Sequence, residues 1–128
     1  MEKEQLRQLQ LCELDILTKC SEICEKYGLK YFLMFGTLIG AVRHKGFIPW
    51  DDDIDIAMPR MDYEKFVKIA DRELPHNYKV LHFSKRWDVP NKILRVENTN
   101  TTMIPFDKNG NLVEKLKHGI QIDIFPID

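Results

Sequence analysis

No stretch of this 128-residue chain approaches the ~20 consecutive apolar residues of a membrane span. The N-terminus, MEKEQLRQLQ, lacks the continuous apolar segment of a secretory leader, so none is expected. An excess of charge is missing too. Nineteen Lys and Arg face twenty Asp and Glu, a net charge of −1, which leaves no global basic field to draw the chain to nucleic acid or anionic lipid. Cysteine is scarce and odd in number. Cys12, Cys20 and Cys24 fall in one helical stretch without a CxxC spacing, which argues against a disulfide framework or a zinc site. They read as reduced thiols that serve as small buried hydrophobes in a cytoplasmic protein. Internal repeats and low-complexity tracts are likewise absent.

What is present suits one domain, residues 1–128, with a real core. The chain is 44% apolar and 30% charged, and at this length about two-thirds of the unfolded surface can be buried. Residues 4–27 form an amphipathic helix, with Leu6, Leu9, Cys12, Ile16, Cys20, Ile23 and Tyr27 at spacings of three and four and Gly28 as its stop. Lys30 to Gly36 reads as a short buried strand. Thr37 is then the N-cap of a helix that runs to about Gly46. Strict alternation marks Asp53–Ala57 as a strand, and Arg60 to Leu74 as a helix with Phe66, Ile69 and Leu74 inward. Residues 78–83, 91–97 and 101–104 read as strands, KNGN at 108–111 as a turn, and GIQIDIFPID as a final alternating strand. This order predicts an α+β (mixed α/β) fold with a central sheet flanked by helices and a long N-terminal helix.

Chemistry concentrates in PWDDDIDIAMPR, where four aspartates occupy five positions. Two like charges ~4 Å apart repel by roughly 4 kcal/mol at an effective dielectric of 20. Asp53 and Asp55 would share one face of a strand packed on its other side through Ile54 and Ile56. Two carboxylates so placed can converge on one divalent cation, or on two held ~3.5–4 Å apart, and magnesium prefers such hard oxygen ligands. Asp123 could add a third carboxylate from a neighbouring strand. The plain alternative is a solvated strand face. An EF-hand loop is excluded, because its sixth position must be Gly and is Ile56, its twelfth is Asp62, and Pro59 interrupts it.

Gly36-Thr37, where a strand meets a helix, offers backbone N–H groups and a hydroxyl to a phosphate, although many structural helix starts look the same. Arg43 either neutralises a phosphoryl group or complements its helix C-terminus, and Lys45 reads as a surface residue. His44 suits acid–base work or a structural hydrogen bond. Trp50 either stacks on a base or covers the core. Lys92 and Arg95 are further candidates for phosphate contact.

The block FGTLIGAVRHKGFIPWDDDIDIAMPRMDYEKF resembles the signature of the LicD family, which includes bacterial phosphorylcholine transferases and is similar to the fukutin-type enzymes; QIDIFPID resembles that family's second block. The resemblance runs from about Tyr27 to Asp128. It implies a nucleotidyltransferase-like central mixed β-sheet and the N-terminal catalytic part of a longer family architecture. It also implies transfer of a phospho-alcohol, such as phosphocholine, from a CDP-linked donor to a hydroxyl of a cell-surface glycan (teichoic acid, lipopolysaccharide or capsule). Magnesium or manganese would be held by Asp53 and Asp55. Asp123 would complete that site or act as base, and Arg43 would offset charge on the transferred group. Asp51 and Asp52 belong to the motif by resemblance; by position they read as support. The expected setting is cytoplasmic, at the inner face of the membrane, with oligomeric state left open. Two rival functions are a truncated, inactive nucleotide- or metal-binding module and a nucleotidyltransferase that adds NMP to a small molecule or protein.

Overall fold

The first helix, α1, covers Lys3–Tyr27 and ends at Gly28, whose φ of 67° is the left-handed turn that glycine adopts without penalty. Its inward stripe, Leu9, Ile16, Cys20, Ile23 and Cys24, is buried. Two of the three thiols are therefore core residues, as expected, and Cys12 is half-buried. Burial pushes the Cys24 thiol up to about 11 and the other two upward as well. The computed structural model describes residues 2–82, 84, 93–104 and 106–128.

After α1 come β1 (Phe32–Leu33), α2 (Phe35–Arg43), β2 (Asp55–Pro59), α3 (Arg60–Glu73), β3 (Tyr78–Leu81), β4 (Leu94–Met103), a 3₁₀ turn at Glu114–Leu116 and β5 (His118–Ile127). The strands form one sheet in the order β1-β2-β5-β4-β3. β2 and β5 run parallel, and the other three neighbouring pairs are antiparallel. This is the mixed α/β fold the pattern implied.

Alternation sorts the sheet into two faces. Ile54, Ile56 and Met58, Ile122 and Ile124, Leu94 and Val96, and Val80 are all buried, and they pack beneath α1 and α3 with Tyr63, Phe66 and Ile16. The opposite face carries Asp55, Asp123, Arg95 and Glu97, all half-buried, and exposed Lys79. Tyr78 donates its hydroxyl hydrogen to Asp15, joining β3 to α1.

Several boundaries differ from the sequence reading. β1 is two residues long rather than seven, because α2 begins at Phe35. Met34, not Thr37, is the N-cap of α2; Thr37 lies inside the first turn and donates its N–H to the Met34 carbonyl at 3.1 Å. β2 begins at Asp55 rather than Asp53, although the Ile54 carbonyl still accepts the Asp123 N–H at 3.1 Å. The strands expected at 91–97 and 101–104 are one strand, β4, with a register irregularity between Asn98 and Met103. Phe83, Asn91 and Lys92, at the ends of two expected strands, lie outside the described residues. The 108–111 turn forms as expected: the Asp107 carbonyl accepts the Gly110 N–H, and the Asp107 N–H reaches the Asn111 carbonyl.

Two isoleucines of β5 test this division of the sheet. Ile124 is fully buried and Ile127 is 39% exposed. Ile124→Ala should cost about 2–5 kcal/mol in urea unfolding, and Ile127→Ala under about 1 kcal/mol. Equal losses would contradict the placement of the core.

Candidate functional site

The parallel pairing of β2 with β5 sets Asp55 directly beside Asp123. The antiparallel pairing of β5 with β4 sets Arg95 beside Asp123 on the other side. The two carboxylates and the guanidinium thus form a row across the half-open face. Arg95 donates from Nε to Asp123 Oδ1 at 3.0 Å, which fixes the orientation of that carboxylate.

The segment entering β2 brings the remaining acids. Carboxylate oxygens of Asp51, Asp52 and Asp53 lie within 4.8 Å of one another, the tightest group of potential metal-binding side chains among the described residues. The structure therefore gathers Asp51 and Asp52, read from sequence only as support, with Asp53, while Asp55 and Asp123, the partners expected for it, are not members of that group. Burial first, then the neighbouring charges of Asp123, Asp53 and Asp51, pushes the Asp55 carboxyl up to about 6. Burial and the charges of Asp52, Asp51 and Asp123 raise Asp53 as well.

Three contacts hold this arrangement. The Asp55 N–H donates to Thr37 Oγ1 at 2.9 Å, so Thr37 ties α2 to the head of β2 and keeps its own hydroxyl hydrogen to donate. A Cβ at Gly36 would stand 2.4 Å from Asp51 Oδ2; what approaches the backbone there is the Asp51 carboxylate, set against the first turn of α2 where the helix dipole favours an anion. Gln10 of α1 donates from Nε2 to the Asp51 carbonyl at 2.8 Å, and Arg7 donates to Gln10 Oε1 at 3.1 Å.

One acid that sequence reasoning missed belongs here. Glu13 of α1 is 3% exposed, and its Oε2 has no hydrogen-bond partner among the described residues. Burial pushes its carboxyl up to about 9, aided by the charges of Asp53, Asp52, Asp51 and Asp55. A signal was available: Glu13 stands four residues after Leu9 and three before Ile16, on the core stripe of α1.

The other expected residues are spread around this centre. His44 and Trp50 meet edge to face, with ring centroids 6.2 Å apart, and Trp50 is 76% exposed, so it does not cover the core. Arg43 ends α2, about 12 Å along the axis from its first residue, and is exposed. Lys92 lies outside the described residues. Phe35, another exposed aromatic, has φ 52° and sets its ring edge against Phe125 at 5.8 Å. Such a strained non-glycine residue persists only where its surroundings impose it, and functional sites are where such residues gather. Beside Thr37, a cleft of about 330 Å³ opens between α1 and α2, lined by Leu14, Leu33 and Phe47 with Arg7 and Lys45.

A helix start tied to the head of a strand, with a DxD pair leading into that strand and a further carboxylate on the adjacent one, is the arrangement of a nucleotidyltransferase-type domain. The chain belongs to the family described as LicD/FKTN/FKRP, nucleotidyltransferase domain, which matches residues 28–126. Among its relatives is the lipopolysaccharide cholinephosphotransferase LicD of Haemophilus influenzae, 50% identical over 80 residues, or 62% of this chain and 30% of that protein. The human ribitol 5-phosphate transferase FKRP is 44% identical over 36 residues, or 28% of this chain and 7% of that protein. The match thus spans less than a third of the length of either relative. Both are named as transferases of phosphorylated alcohols. No described helix is long and apolar enough to cross a membrane.

The raised carboxyls make stability depend on pH. Asp55 and Glu13 keep their protons to higher pH in the folded chain than in the unfolded one, so between the two values the folded state binds more protons and stability falls as pH rises. Without divalent cations, Asp55→Asn should flatten the decline between about pH 4 and 6 and Glu13→Gln the decline from about pH 4.5 to 9. At the upper end Glu13→Gln should be more stable than wild type by about 1–3 kcal/mol. Parallel profiles for all three proteins in thermal unfolding would contradict the crowding described here.

Proposed function

We propose that this domain binds the donor in a metal-dependent transfer of a phospho-alcohol, phosphocholine-like, from a CDP-linked donor to a hydroxyl of a cell-surface glycan. The observation that carries the reading is the side-by-side placement of Asp55 and Asp123 on the half-open sheet face, with the Asp51–Asp53 group at its head. The donor set suits a hard divalent cation: it is all oxygen, several acids are held above their ordinary values by burial and by one another, and the buried Glu13 Oε2 lacks a partner. Asp53, Asp55 and Asp123 would hold Mg²⁺ or Mn²⁺, with Asp51 and Asp52 beside them. When bound, that cation would neutralise the donor diphosphate and stabilise the departing CMP.

The protein's own groups supply the rest. Arg95 orients Asp123, which suits a carboxylate that binds a cation rather than one that must swing to an acceptor hydroxyl. Thr37 can donate its hydroxyl hydrogen to a phosphate oxygen, and Gly36 leaves room for Asp51. The cleft beside Thr37 offers apolar walls and the cations Arg7 and Lys45 to a nucleotide. Arg43 would offset charge on any part of the substrate that extends along α2, and Trp50 with His44 offers an exposed aromatic edge to a base or an alcohol head group.

The test is a donor screen with CDP-choline, CDP-ribitol and CDP-glycerol, each with Mg²⁺ or Mn²⁺. A true donor at a hundred times its Kd should add about 2.7 kcal/mol of stability, read as a rise in Tm. CMP release should fall about 10²-fold or more in Asp53→Ala and Asp55→Ala. If no donor shifts Tm and the two substitutions change nothing, the reading is wrong. Binding without CMP release would favour an inactive nucleotide-binding module, and incorporation of labelled NMP from an NTP would favour nucleotidyl transfer.

A further inference from the structure

We propose that Glu13, from the middle of α1, is a carboxylate of the cation site and acts there together with the Asp51–Asp53 group. This rests on the reading of that group as a cation site. The apolar stripe of α1 runs Leu9, Ile16, Cys20 and Ile23, and Glu13 takes the place between its first two members where a leucine or methionine would pack at no electrostatic cost. A buried polar group without a partner costs about 1–3 kcal/mol, and more if charged. Native structures keep few of them, each for a reason.

Local structural explanations do not account for this one. Glu13 caps no helix end, since it lies in the interior of a helix running from Lys3 to Tyr27. Its Oε2 receives no hydrogen bond from any described residue. One turn earlier, Gln10 is equally buried at 3% exposure, yet it is satisfied by the Asp51 carbonyl and Arg7. Gln10 thereby shows what the stripe faces at this depth: the acidic segment that leads into β2. The side chains that act on Glu13 most strongly are Asp53, Asp52, Asp51 and Asp55, all of its own sign. A buried carboxylate whose Oε2 has no partner, one turn along the helix face that Gln10 turns to the Asp51 segment, is a cost in the cation-free protein. It becomes a fourth oxygen donor once a divalent cation is present. α1 is then part of the centre as well as its packing support.

The test is Mn²⁺ binding to the whole chain, followed by electron paramagnetic resonance of free Mn²⁺, for wild type, Glu13→Gln and Glu22→Gln. Glu22 is an exposed acid of the same helix, so its substitution removes the same charge from outside the site. Glu13→Gln should weaken Mn²⁺ binding about tenfold or more, while Glu22→Gln should stay within about twofold of wild type. Wild-type binding with an equal affinity in Glu13→Gln would overturn the role of Glu13 and leave the cation reading standing. No Mn²⁺ binding by wild type would overturn both. Glu13→Asp, which keeps the charge but shortens the side chain, guards against a folding defect in the glutamine variant. It should bind more tightly than Glu13→Gln and more weakly than wild type, and affinity equal to wild type would count against a ligand held at a fixed reach.

Discussion

Repulsion among carboxylates around the entry to β2 is the constraint that the rest of this structure accommodates. Asp51, Asp52, Asp53 and Asp55 are near neighbours in sequence, Asp123 is added by strand pairing, and Glu13 is added from a helix. Left to themselves these groups would spread into solvent. They are kept together by neutral contacts: Gln10 on the Asp51 carbonyl, Thr37 on the Asp55 N–H, and the absence of a side chain at Gly36 where Asp51 settles. Of the cations, Arg95 is the one the sheet pairs directly into the row, and it is committed to Asp123. The balance is a centre with more negative charge than its own residues neutralise, in a chain whose net charge is only −1.

Topology makes that balance possible. β5 lies between β2 and β4, parallel to the first and antiparallel to the second, so one residue of β5 meets Asp55 on one side and Arg95 on the other. A shift of one residue in β5 would turn Asp123 to the buried face and Ile122 and Ile124 to the open one. The isoleucines therefore fix the site as much as the core. Their burial beneath α1 and α3 sets the register, and the register aligns the acids. The same domain type joins a cholinephosphotransferase and a ribitol 5-phosphate transferase in one family. What those two named activities share is a phosphoryl group, the part of a substrate that a cation site would engage.

Much of this was legible in the sequence because it rests on short-range periodicity. The alternation Asp53-Ile54-Asp55-Ile56 separated the charged face from the buried one, and GIQIDIFPID did the same for Asp123. The extent of α1 and its Gly28 stop were legible, and of its expected stripe Leu9, Ile16, Cys20 and Ile23 are buried while Leu6, Cys12 and Tyr27 are half-buried. The misses share a cause, which is that tertiary partners decide them. Thr37 looked like an N-cap, but its hydroxyl oxygen accepts from a strand eighteen residues away, and the N-cap lies three residues earlier, at Met34. Two strands were read where β4 continues through its irregularity, because the continuity is imposed by pairing with β5. Asp51 and Asp52 looked peripheral to a strand, and only the fold of their loop brings their oxygens beside Asp53. Glu13 was overlooked because Cys12 beside it offered an apolar residue for the same turn.

The weakest support lies under α2, and this bears on how the centre works. Of its nine residues only Gly40 is buried, while Phe35, Leu38, Ile39 and Val42 are all exposed. α2 is thus held by its first turn, through Thr37 and Met34, and by the close approach of Gly40 to the Gly46 carbonyl, not by an apolar stripe. Few buried apolar contacts mean a low free energy of local opening. α1, α3 and the sheet, by contrast, share one continuous core. The acids on the sheet are therefore set by the most stable part of the molecule, and the helix start facing them by a less stable part. A ligand that bridged the two would order α2 against a frame already fixed, leaving the alignment of Asp55 with Asp123 untouched.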